Sequence, residues 1–205
     1  MKHKNLKDYG DHLSEALNSI DENLVSALKD EIRRRFDSPS NIYLIGNGGS
    51  AANANHIVGD YSKTFAMMGK CLNINCLADN SCYITAVSND LDYSEIFELQ
   101  INARVRKDDL IIFLSGSGNS MNLVKTARLA KTKNIRTAAI LGFSGGALKG
   151  LVDIPIHAFI NDMEIAEDCQ IATFHFIKQK LYLEFFDDNN PTPKYNKRVD
   201  EDLIA

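Results

Sequence analysis

The sequence predicts an α/β fold, a buried parallel sheet with helices on both faces. Three observations carry that expectation. Short apolar runs rich in β-formers recur five times along the chain. Helical patterns separate them. The runs are nearly continuous in apolar residues rather than alternating, as strands covered on both faces are. The 205 residues suffice for one large domain or two small ones. One domain, residues 1–187, with a polar tail at 188–205 is the simplest division, because neither a repeat nor a low-complexity segment interrupts the pattern.

Taken in order, residues 3–36 read as one long helix. Leu6, Tyr9, Leu13, Leu17, Ile20, Leu24, Leu28 and Ile32 recur at spacings of three and four and form one apolar stripe. "DSPS" at 37–40 stops it, since proline and the residue before it resist helical continuation. The predicted strands are "NIYLIG" (41–46), "LNINCLA" (72–78), "DLIIFLSGSG" (109–118), "RTAAILGFSGG" (136–146) and "DIPIHAFI" (153–160). Helices are expected over 50–66, 94–104, 120–133 and 162–186. The tail is proline-broken and is expected to be poorly ordered or dependent on a partner.

Composition narrows the function. A net charge of −4 offers no broad basic footprint, so nucleic acid is not an expected ligand. "RRR" at 33–35 suits the last turn of a helix, where cations complement the dipole. No apolar run approaches a membrane span, and the first residues lack the apolar core of an export signal. Cys71, Cys76, Cys82 and Cys169 form no CxxC pair and read as reduced thiols of a cytoplasmic protein.

In an open parallel sheet, ligands bind beyond the carboxyl ends of the strands. Glycine-rich stretches follow three of the predicted strands, at 46–50, 115–120 and 142–146. The second is the most informative. Ser115, Ser117 and Ser120 alternate with Gly116 and Gly118, and then a helix begins. Glycines let backbone N–H groups approach an anion, hydroxyls add donors, and the helix N-terminus adds positive potential. This describes a phosphate cradle without lysine; neither GxxxxGK[ST] nor a GxGxxG after the first strand is present. A turn with Ser120 as a helix N-cap reads equally well from the residues alone.

His56 and Asp60 stand four apart on the predicted second helix and share a face. Glu164, Asp168 and His175 fall close to one face of the last helix, with Glu167 beside them. Two such clusters suit a metal site or acid–base pairs. An aldose–ketose isomerisation needs a base at the carbon beside the carbonyl and an acid that shuttles protons between the enediol oxygens. His3, His12 and His157 lack such company in the sequence and read as structural or surface groups.

The stretches "IGNGGSAANANHIVGD", "LSGSGNSMNLVKTARLAK" and "AEDCQIATFH" resemble the sugar isomerase (SIS) domain, and within it the phosphoheptose isomerases. The resemblance spans roughly residues 1–187. It implies a three-layer, flavodoxin-like sandwich around five parallel strands, assembled as a homotetramer with active sites between subunits. It implies conversion of sedoheptulose 7-phosphate to D-glycero-D-manno-heptose 7-phosphate through an enediol. Ser115, Ser117 and Ser120 match the family's phosphate-binding serines, and Gly116 stands where threonine is usual. Asn47, Gly48, Gly49 and Ser50 match the loop that touches sugar; Asp90 matches an aspartate near substrate. His175 matches the catalytic late histidine, and Asp60 falls where the catalytic glutamate is usual. Glu167 falls where a glutamine is usual, and Glu164 is expected beside it at the substrate.

With His56, these residues form a His56–Asp60–Glu167–His175 set resembling the zinc site of part of the family. Zinc, one per subunit, is therefore the only cofactor expected. Two other readings stand beside isomerisation of a seven-carbon phosphate. One is a non-catalytic SIS protein that binds sugar phosphate or another protein, such as a replication initiator. The other is an isomerase of a pentose or hexose phosphate.

Overall fold

The computed structural model of the chain describes residues 3–185. The predicted tail at 188–205, the last residue of the predicted final helix and the end of the predicted domain lie outside them. Strands β1 (Asn41–Gly46), β2 (Asn73–Cys76), β3 (Leu110–Ser115), β4 (Arg136–Leu141) and β5 (Ile154–His157) form one sheet in the order β2-β1-β3-β4-β5. Every pairing is parallel, as the continuous apolar runs predict. Four of the predicted strands run past the observed ends; after β3 and β4 the glycine, serine and phenylalanine residues leave the ladder to form the loops beyond the sheet.

Strand residues alternate between two cores. Ile42 and Leu44 of β1 join Ile112 of β3 beneath helices α2 (Glu22–Arg33), α3 (Gly48–Met67) and α7 (Met163–Phe185). Tyr43, Ile45 and Phe113 point to the opposite face, under α5 (Glu98–Arg104) and α6 (Met121–Thr132). Fully buried Tyr61, Phe65 and Phe174 dominate the first core. Each such side chain contributes about 1.5–3 kcal/mol by leaving water.

The N-terminal helix is not continuous. It is α1 (Leu6–Asn18) followed by α2, broken at residues 19–21. Ser19 Oγ donates to the Ala16 carbonyl at 2.7 Å, and the Asp21 carboxylate accepts from Asn23 N at 2.9 Å. Both side chains satisfy backbone groups that a continuous helix would pair internally, which ends one helix and starts the next. The stripe divides accordingly: Leu13 and Leu17 join Ala16 against Ile165 and Cys169 of α7, while Val25, Leu28 and Ile32 enter the main core.

Helix α4 (Ser81–Asp90) was not legible in the sequence, because it fully buries no residue and only Ile84 and Val87 lie against the second core. Asn80 starts it by accepting from Tyr83 N at 3.0 Å. In "RRR", Arg33 closes α2, but Arg35 turns inward. Its guanidinium donates to the Glu31 carboxylate at 2.8 Å and to the carbonyls of Asp108 and Asp109, both at 3.1 Å. The four cysteines are unpaired. Among the described residues, no helix is long and apolar enough to cross a membrane.

Candidate active site

Strand β1 leads through α3 to β2 on one side, whereas β3 leads through α6 to β4 on the other. The carboxyl ends of β1 and β3 therefore diverge, and a cleft opens at this switch point. Its volume is about 240 Å³. Asn47, Gly48, Gly49 and Ser50 line it from β1, and Ser115, Gly116, Ser117 and Ser120 from β3. Both sequence-derived loops thus meet in one place. Met163 and Glu167, from the first turns of α7, form a further wall.

The serine loop is held by its own first hydroxyl. Ser115 Oγ accepts from Gly118 N at 3.0 Å, which folds the loop back over the end of β3. Gly118 has φ +68, a conformation that costs glycine little. Ser120 takes the N-cap position of α6 but makes no side-chain capping bond. Its hydroxyl and the first N–H groups of α6 lie where a helix N-terminus favours an anion. At Gly116 a β-carbon would fall inside 3.0 Å of Met163 Sδ, so the thioether fills the space a threonine would need.

The third glycine stretch braces the second. Gly142 N donates to Gly116 O at 2.9 Å, Leu148 N to Gly118 O at 3.1 Å, and Ala147 N to Asn119 Oδ1 at 2.9 Å. A β-carbon on Gly118 would meet the Gly145 carbonyl, and one on Gly146 would meet Ser117 O. At Gly118 and Gly146 the two loops pack backbone against backbone, which leaves no room for a side chain at either.

On the β1 side, Ser50 is buried and joins α3 to α7: Gln170 Nε2 donates to Ser50 Oγ at 3.1 Å. Asn53 Nδ2 donates to the Gln170 side-chain oxygen and to the Glu167 carbonyl, both at 3.0 Å. The Glu167 carboxylate comes to 3.4 Å from Ser50 Oγ and stands directly over Gly49. Asn47 is held by Asn122 through paired amide bonds of 2.9 and 3.0 Å and by Tyr93 Oη at 2.9 Å. Asn53, Gln170, Tyr93 and Asn122 were not singled out in the sequence; their polarity is common and their spacing carries no motif.

Further along the α3–α7 seam lies a second constellation. His56 Nε2 and His175 Nε2 face one another at 3.1 Å, and Asp60 Oδ2 is 4.0 Å from His175 Nε2. The ligand atoms of His56, Asp60 and His175 lie within 4.8 Å of one another. Two imidazoles and a carboxylate suit zinc, where ligand nitrogens about 2.0–2.1 Å from the metal stand a little over 3 Å apart in a tetrahedral site. Glu167 is not in this cluster. It stands eight residues before His175, about 80° around the helix and about 12 Å along its axis. Instead Lys178 enters: its ammonium is 2.5 Å from Asp60 Oδ2. Partial burial lowers the pKa of His175 below 6.5; Asp60 opposes this, while Lys178 and His56 reinforce it.

Two predicted contacts stand apart from the cleft in a single chain. Asp90 is exposed at the end of α4 and bonds to Asn89. Glu164 is exposed and lies near Tyr9 of α1. Asp168, also read onto the His175 face, accepts from Tyr9 Oη at 2.7 Å. Equal angle about a helix concealed a large axial separation from His175.

The SIS domain family matches residues 8–142. A probable phosphoheptose isomerase of Thermoplasma volcanium is 34% identical, over 84% of this chain and 88% of its own length. A phosphoheptose isomerase from Francisella tularensis superimposes with a TM-score of 0.73 at 22% identity, over 83% of this chain and 90% of that one. Another, from Neisseria gonorrhoeae, gives 0.71 at 22% identity, over 78% and 86%. The order of strands, the serine loop at the switch point and these likenesses agree: the chain belongs to the SIS domain family and, within it, to the phosphoheptose isomerases.

Proposed function

We propose that the chain interconverts sedoheptulose 7-phosphate and D-glycero-D-manno-heptose 7-phosphate. The observation that carries this reading is a separation. The anion-type cleft lies at the start of α3 and α7, and the His56–Asp60–His175 cluster lies about 9–12 Å further along the same helices. A seven-carbon sugar with its phosphate on C7 reacts at C1 and C2, the other end of the molecule. Ser115, Ser117, Ser120 and the α6 N-terminus hold the phosphate; Ser50 and the 47–49 backbone orient the sugar.

Asp60 takes the proton from C1 of the ketose, and the C–H electrons form the C1=C2 bond of the enediol. His175 delivers a proton to O2 and receives the one on O1. C1 then becomes the aldehyde carbon, and Asp60 returns to C2 the proton it took from C1. A His175 with its pKa below 6.5 is neutral at physiological pH, as a group exchanging protons in both directions requires. Zinc, when held by His56, Asp60 and His175, supplies Lewis-acid polarisation of the sugar oxygens.

Assembly as a homotetramer that completes the site between subunits belongs to this proposal. Phe176 and Leu183 of α7 are 48% and 65% exposed, and Asp90 and Glu164 do not line this cleft within one chain. A cytoplasmic location accords with four unpaired cysteines. The test is purified protein with sedoheptulose 7-phosphate, with and without zinc, followed by NMR for the aldose. Absence of turnover in both conditions overturns the assignment. Asp60→Ala is expected to abolish turnover and keep the fold.

A further inference from the structure

A second constellation of metal-ligating side chains lies away from the cleft, at the N-terminus. One imidazole nitrogen each of His3 and His12 and one Asp8 carboxylate oxygen lie within 4.8 Å of one another. The two rings meet at a centroid distance of 5.1 Å. From these residues we infer a divalent-cation site of the zinc class that ties the N-terminal segment to α1 and, through Asp162, to the start of α7.

The ring of His3 argues for it. His3 Nε2 stands 3.1 Å from Asp162 Oδ2. A carboxylate oxygen accepts, so Nε2 carries the hydrogen, and the neutral ring keeps its lone pair on Nδ1. That nitrogen is buried and has no hydrogen-bond partner. A buried polar atom left unpaired is costly, so such atoms in folded proteins call for an explanation. A cation at Nδ1 supplies one. The carboxylate–histidine pair behind it is the outer-shell arrangement that orients zinc-bound imidazoles.

His12 is oriented in the same manner, with Nδ1 2.7 Å from the Asp8 carbonyl and 3.6 Å from its carboxylate. Asp162, Glu164 and Asp168, all near Tyr9, add negative potential around the group. Two nitrogens and an oxygen with a fourth position for water suit a tetrahedral ion. Side-chain exposures of 42% for His12 and 32% for Asp8 leave an entry path. Asp162 also caps α7 by accepting from Ile165 N at 3.2 Å. An ion here therefore fixes the first turn of α7, which carries Met163 and Glu167 to the cleft.

The test is a cobalt(II) titration of the full chain carrying His56→Ala and His175→Ala, which removes both imidazoles of the α3–α7 cluster. We expect about one cobalt equivalent with the intense visible absorption of a four-coordinate site. Adding His12→Ala should abolish it. Asp162→Asn, which keeps the capping oxygen but not the charge, should weaken binding by about 10- to 100-fold. Metal-free thermal melting checks that each variant folds, and Asp8→Asn replaces His12→Ala if the latter does not. No cobalt bound by the parent variant, or cobalt binding that neither His12→Ala nor Asp8→Asn changes, overturns the site.

Discussion

The carboxylate of Glu167 stands over Gly49 so closely that a single methyl group there would fall inside 3.0 Å of it. The glycine sets how near the start of α3 approaches α7, and so the width of the cleft. Gly49→Ala is expected to turn Glu167 aside and lower kcat/KM by about 100-fold, as a misplacement of about 1 Å can even when the mutation lies far from the reacting atoms. Because the displaced atoms are the free end of a side chain, the melting temperature should hardly move. Steady-state kinetics and a thermal melt on one preparation check both halves.

Gly118→Ala should behave in the opposite way. There the obstacle is the Gly145 backbone, and φ is +68. The two loops must part, so we expect a loss of about 1–3 kcal/mol in chemical denaturation, with weaker phosphate binding as a consequence.

Replacing single hydroxyls in the serine loop should separate binding from chemistry. Ser117→Ala and Ser120→Ala are each expected to raise KM for the sugar phosphate by about tenfold, the loss of one hydrogen bond to a charged group, with kcat nearly unchanged. A fall in kcat at constant KM would place these hydroxyls at the reacting carbons instead.

Lys178 ties the pH profile to the seam. His175 has its pKa below 6.5, chiefly through burial, with Lys178 contributing in the same direction. Neutral His175 is therefore favoured by folding. Its contribution to stability is complete above pH 6.5 and is lost as pH falls through the lowered value. Lys178→Met removes one of the lowering charges. The acid limb of kcat/KM should move to higher pH, and zinc binding at His56, Asp60 and His175 should tighten as the competing ammonium leaves Asp60.

Glu31 is predicted to be a stability residue alone. It is 6% exposed, beside Arg35 at 7%, and also bonds Arg136. Burial pushes its carboxyl up, but the hydrogen bonds from Arg35 and Arg136 outweigh that and hold the pKa below 4.5. Glu31→Ala should cost about 3–5 kcal/mol in urea denaturation by leaving a buried guanidinium uncompensated, with KM unaltered.

The strands were readable because burial on both faces writes itself as uninterrupted apolar runs, and the loops because glycine and serine cluster where the chain turns toward a ligand. Ser50, Ser115, Ser117 and Ser120 line one cleft as their motifs suggest. What escaped was distance along an axis. Periodicity reports the angle about a helix, so Asp168 and His175 look adjacent while two turns separate them. Lys178 escaped because a lysine on a long helix is ordinarily solvated, and only the packing of α3 beside α7 turns it to Asp60. The break at 19–21 escaped because the apolar stripe continues across it and only the capping side chains mark it.

The bracing of residues 116–119 by 142–148 also bears on the thermodynamics of ligand capture. A glycine-rich loop that closed around its anion only on contact would lose about 1–2 kcal/mol of backbone entropy per ordered residue at that moment. Here the bonds from Gly142 N, Leu148 N and Ala147 N fix the loop during folding. The ordering cost falls on the folding equilibrium, and little of it is left to oppose binding. Calorimetry of inorganic phosphate binding should accordingly give a small entropic penalty, and one that grows when Gly146→Ala loosens the brace.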